Sequence, residues 1–254
     1  MRIPESLKEM ENLTELRKSE IAKMFSPHLK SLDNYKILII KLVQIIGAYK
    51  PSGGVDIAVR NFIADTYDLL DGAVAVIKLG LPNAAAPLIR RIYENVSLMN
   101  AFIIDKKLYD KWFRGQEVVN KEVRKVLNTS PAGEALERTQ ALYYQLSDKA
   151  HPSRIAISDR FLGAGNPFTL GPVMTPSVAL VSDTLVRLLS LVFWFTACAA
   201  LYYKPVISSR HSHFIKLYET TSTHALDINE KLAGKLDQLY EEEDFTDIER
   251  NPPA

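Results

Sequence analysis

The sequence predicts an all-α fold, a single-domain bundle of about seven or eight helices with one long Gly/Pro-rich loop or small hairpin over residues 152–176. Three observations predict it. Apolar side chains recur every three or four residues through most of the 254-residue chain, the spacing of a helix face rather than of a pleat. Pro and Gly fall between these periodic stretches and punctuate them. Apolar residues make up 47% and charged residues 24%, enough for a sizeable core and too apolar for a disordered chain.

Residues 5–25 read as a charged amphipathic helix, peripheral to the rest, that stops near Ser26-Pro27. Asn34 to Tyr49 is rich in Ile, but Ile37, Ile40, Val43 and Ile46 repeat at i+3 and favour helix over strand. After the Pro51-Ser52-Gly53-Gly54 turn, Val55 to Leu79 is the strongest amphipathic pattern in the chain. Val59, Phe62, Ile63, Leu70, Val74 and Ile77 share one face at 100° per residue, and Asp65, Asp68 and Asp71 form its solvated side. Gly80 ends it, and Pro82-Asn83 opens a helix to about Ile104. A further helix is expected over Lys106 to Asn128. The next begins at Ser130-Pro131 and runs to Ala150, because Pro152 pushes the preceding residue out of the α region. Ser177 to Tyr203 is a long apolar helix closed by Pro205. Phe214 to Tyr240 supplies one or two more, and residues 242–254 are a frayed acidic tail.

Charge and cysteine usage exclude several function classes. Lys and Arg number 31 against 30 Asp and Glu, so bulk electrostatic binding of nucleic acid is not supported. A local excess survives inside that neutral total, because nine basic residues face five acidic ones between Arg90 and Lys125, close to Trp112 and Phe113. The lone Cys198 forbids an intramolecular disulfide and any multi-cysteine zinc site, and it lies in an apolar stretch where a thiol stays inert. His211, His213 and His224 lack an accompanying Cys or a helical Glu-x-x-His pattern, so neither metal nor cofactor is expected. The uncharged run Leu188 to Tyr203 has 16 residues where a spanning helix wants about 20, and a buried central helix is expected rather than a membrane span. No secretory leader is expected, and the location is read as cytoplasmic.

Two polar stripes stand out against the apolar background. On the helix from Pro82 to Ile104, Arg90 and Glu94 lie one turn apart with Arg91 beside them, on a helix that is apolar around most of its circumference. Charges in such surroundings are costly unless paired, so they mark either an ion pair or a site. On a later helix, Gln140, Tyr144, Ser147 and His151 follow i, i+4, i+7 and i+11, with His151 at the mouth of the 152–176 loop. The expected binding set is therefore Arg90, Arg91, Glu94, Tyr144, Ser147 and His151. His151 and Glu94 are the candidate acid/base groups, and the loop is the cover.

The segments Leu88-Ile89-Arg90-Arg91-Ile92-Tyr93-Glu94, Trp112-Phe113-Arg114-Gly115 and Tyr143 to Ser153 resemble a broad family of uncharacterised bacterial helical proteins. The resemblance covers roughly residues 55–205 and implies a helical bundle. Bundles of that kind are in turn similar to the HEPN superfamily of RNases and defence-associated proteins, whose signature is Arg followed after four to six residues by His. None of His28, His151, His211, His213 and His224 has such an Arg upstream, so RNase activity by that route is not expected.

The leading expectation is a small molecule or protein bound in a polar pocket between helices. Two alternatives stay open. One is an RNA- or nucleotide-directed enzyme of a defence system, with His151 as acid or base and Arg90 or Arg91 on phosphate. The other is a structural module that forms a homo-oligomer through Ser177 to Tyr203.

Overall fold

The computed structural model describes residues 6–129, 143, 144, 146 and 177–242, and every element among them is helical. The elements are α1 (Leu7–Met24), α2 (Ser26–Gly47), α3 (Gly54–Lys78), α4 (Pro82–Ile104), α5 (Lys106–Phe113), α6 (Asn120–Asn128), α7 (Val178–Tyr202), α8 (Lys204–Arg210), α9 (Ser212–Ala233) and α10 (Leu236–Glu242). The all-α multi-helix bundle expected from periodicity is the fold observed. The predicted helix over 131–150, the 152–176 loop and the end of the acidic tail lie outside the described residues, apart from Tyr143, Tyr144 and Leu146, which are helical.

Several boundaries differ from the expected ones, each for a physical reason. Pro27 does not stop α1 but starts α2, because a proline in the first helical turn lacks only an N–H that would have no partner there. Only Phe25 separates the two helices; its amide donates to the Ile21 carbonyl at 2.9 Å. Pro205 likewise opens α8 rather than merely closing α7. The single helix expected over Lys106 to Asn128 is two, divided where Gly115 takes a φ of +72°, a conformation other residues rarely adopt. Asp105 caps α5 by accepting from the Lys107 amide at 2.9 Å.

The face α2 buries also differs from the expected stripe. Ile46 is buried, but Ile37, Ile40 and Val43 are exposed. Once the helix starts at Ser26, the stripe Leu29, Leu32, Tyr35, Ile39 and Leu42 is longer and turns inward instead. In α3 all six residues of the expected face are buried.

The turn Leu79–Leu81, with Gly80 at φ +72°, folds α4 back along α3, and Phe62 meets Phe102 at 5.9 Å between ring centres. α4 is central: α3 and α7 pack along it, and α5 and α6 close against it. It buries residues around most of its circumference, including Ile89, Ile92, Tyr93, Asn95, Val96, Met99 and Phe102. α7 is long and apolar enough to cross a bilayer, and half of its most apolar stretch is buried. It touches α2, α4 and α9, and its one acidic residue, Asp183, is paired with Arg187 at 2.9 Å as the i, i+4 spacing predicts.

Candidate functional site

The outer flank of α4 carries the charges that the sequence singled out. Arg90 Nε lies 3.2 Å from Glu94 Oε1, one turn along the helix. Arg91 reaches Glu94 at 3.9 Å and also Asp65 of α3 at 3.5 Å. Glu94 thus balances two guanidinium groups, a counter-ion's role. Asp65 is on the solvated side, as expected, with its side chain 47% exposed. Its Oδ2 also accepts a 2.7 Å hydrogen bond from Asn95 Nδ2, and Asn95 is fully buried and donates to Thr66 at 3.2 Å as well. The α3–α4 interface therefore ends in a polar rim at the solvent boundary.

Tyr143, which the sequence reading did not choose, completes the cluster. Arg90 Nη2 donates to its hydroxyl at 2.9 Å, and the Arg90 guanidinium carbon lies 5.1 Å from the ring centre. The ring also packs 6.2 Å from that of Tyr93, which in turn lies 6.2 Å from Trp194 of α7. Tyr144, the expected residue, is 52% exposed and touches Tyr143 edge-on at 6.0 Å. One step along a helix rotates a side chain by about 100°, so Tyr143 and Tyr144 point to different sides of their helix. Ser147 and His151 lie outside the described residues, so Arg90, Arg91 and Glu94 are the nominated groups seen together.

α6 adds a third arginine. Val123 and Leu127 are its buried face and dock it on α4, which places the Arg124 guanidinium carbon 5.7 Å from the Tyr143 ring centre. Two guanidinium groups thus share one aromatic ring, a favourable cation–π arrangement. Arg90 has Glu94 as its carboxylate. Arg124 Nε is buried and has no hydrogen-bond partner among the described residues. Among the described residues this cluster contains no histidine or cysteine, and no group of three metal-ligating side chains occurs. The groups it brings together are guanidinium, phenol and carboxylate counter-ion.

A second polar cluster, at the start of α3, was not anticipated. Asp56 is 4% exposed. One carboxylate oxygen accepts from the Tyr203 hydroxyl at 2.5 Å and from Arg60 Nε at 3.1 Å; the other accepts from the Ser52 amide at 2.8 Å and its hydroxyl at 3.3 Å. Burial works against the charged carboxylate. The Tyr203 hydroxyl, the Ser52 amide and Arg60 together outweigh it and hold Asp56 below the ordinary carboxylate range. Burial, and then the same hydrogen bond to Asp56, push the Tyr203 hydroxyl well above its usual range. Gly54, two residues before Asp56, leaves room for Tyr109. A Cβ there would lie 2.0 Å from the hydroxyl oxygen of buried Tyr109, so no larger residue fits without displacing that ring.

No family model matches the chain, and no curated protein or solved structure matches it.

Proposed function

We propose that the protein is a binding module for a small anion, taken up at the face formed by α4, α6 and Tyr143. The observation that supports this most is half-buried Arg124, whose Nε is buried beside a second guanidinium and has no acceptor among the described residues. A buried charged donor without a partner is costly, and structures retain such groups where something else completes them. A phosphate or carboxylate would do so, since a guanidinium offers such groups two parallel N–H donors. Tyr143 orients Arg90, and Glu94 with Asp65 keeps Arg90 and Arg91 from being a bare positive patch.

Thermal unfolding at constant ionic strength, in increasing phosphate and separately in citrate, tests the proposal. Binding to the folded state raises stability by about 2.7 kcal/mol at a hundredfold excess over Kd. The wild-type protein is expected to be stabilised by at least one of the two anions, and Arg124→Gln to lose that response. Equal stabilisation of both proteins, or none of the wild type, overturns the proposal.

A further inference from the structure

One end of the bundle collects exposed apolar side chains that no part of the anion-binding face uses. Phe113 is 72% exposed and Trp112 40%, with Ile104 and Val119 beside them in the chain and also exposed. α5 carries Phe113 and Trp112. Its inner side is held by Tyr109, whose ring stacks on Phe113 at 5.7 Å, while Trp112 lies 5.5 Å from Phe102. Val119 is kept next to α5 by Glu122, which accepts from the Val119 amide at 3.1 Å and from Lys111 Nζ at 2.8 Å. Exposed Ile57 and Leu201 belong to the same end, because the start of α3 and the end of α7 meet there through Asp56 and Tyr203.

Around these side chains stand exposed basic residues: Lys106, Lys107 and Arg114 on and after α5, with Lys50 and Lys204 at the same end. Of the acidic groups nearby, Asp105 is engaged as the α5 cap and Glu122 by Lys111, leaving half-buried Asp110 and exposed Glu117. Large aromatic residues standing out of a surface and edged by Lys and Arg suit a membrane interface. There the rings sit at headgroup level, and the basic side chains extend to anionic lipid. Stacking on RNA would use Trp112 and Phe113 but would leave Ile57, Ile104, Val119 and Leu201 unexplained, because aliphatic side chains offer no ring to stack on.

We infer that this end of the bundle, centred on Trp112 and Phe113, docks the protein peripherally on an anionic lipid surface. The docking is independent of the anion-binding face.

The test is co-sedimentation of the full chain, at low salt, with vesicles of phosphatidylcholine alone and with about one third phosphatidylserine. Binding is expected to the anionic vesicles and to fall with added salt. Phe113→Ser is expected to weaken it about tenfold or more, from the loss of one buried aromatic ring. Lys106→Gln with Lys107→Gln is expected to weaken it about twenty-five-fold, or about fivefold per basic residue. Phe113 is on the surface, so its variant should melt with the wild-type protein, and a matched melt certifies the comparison. Ile37→Ser with Ile40→Ser removes two exposed apolar residues, 48% and 41% exposed, from α2 and is expected to change nothing.

Absence of binding to the anionic vesicles overturns the inference. So does an α2 variant that weakens binding as much as Phe113→Ser. Retention of single-stranded RNA, lost in the Phe113 and lysine variants and unaccompanied by vesicle binding, assigns the surface to RNA instead. A dimer that Phe113→Ser dissolves, again without vesicle binding, assigns it to a second copy of the chain.

Discussion

The clusters around Asp56 and around Arg124 place charge in half-closed surroundings and treat it in opposite ways. At the start of α3, Asp56 receives donors from Tyr203, Arg60 and Ser52, and both its oxygens are occupied. On the flank of α4, Arg124 is set against an aromatic ring and its Nε is left without an acceptor. The first arrangement is complete; in the second, no acceptor for Arg124 Nε stands among the described residues. Burial is therefore a poor guide to role. What separates a structural charge from a recognition site is whether the chain itself supplies the partner.

Substitutions can break or sharpen that contrast. The largest effect is expected from Asp56→Ala, which leaves the buried Tyr203 hydroxyl and half-buried Arg60 without their acceptor. A loss of about 3–5 kcal/mol is expected in urea unfolding. Tyr203→Phe removes one hydrogen bond to a charged acceptor and is expected to cost about 2 kcal/mol by the same measurement. Gly54→Ala forces Tyr109 to move and is expected to cost about 1–3 kcal/mol.

The closed cluster also has a pH signature. Asp56 titrates below its unfolded value, so its contribution is fully present above about pH 4 and is lost as the pH falls further through the folded value. Asp56→Asn is expected to flatten that acid limb of the stability curve. The smallest effect is expected at the open cluster, with the opposite sign. Arg124→Met replaces an incompletely paired cation by an apolar chain, and should leave the protein unchanged or more stable by up to about 1 kcal/mol. A loss of several kcal/mol in Arg124→Met would place Arg124 with Asp56 as a structural charge.

How much of this was legible in the sequence follows from the range of each interaction. The α3 face and the Arg90–Glu94 and Asp183–Arg187 pairs are local periodicities, and all were readable. Proline was ambiguous: Pro27 and Pro205 begin helices, and only the chain direction after them distinguishes a start from a stop. The inward face of α2 was misjudged because that helix is apolar on two sides, and packing against α3, α7 and α9 selects one. Asp65 and Asn95 meet across two helices, and Tyr143 meets Arg124 across separate segments. Neither pairing leaves a spacing to read. Asp56 and Tyr203 are 147 residues apart, beyond the reach of any pattern.

That separation matters while the chain is being made. At roughly 5–20 residues per second, the ribosome delivers Tyr203 about seven to thirty seconds after Asp56. Through that interval α3 and α4 can pair, but the Asp56 carboxylate must keep its hydration shell, and the end of the bundle under Trp112 and Phe113 stays ajar. A nascent chain stalled before residue 203 would therefore present a loosened, sticky end to chaperones and proteases. Arrival of Tyr203 is what turns that intermediate into a sealed protein.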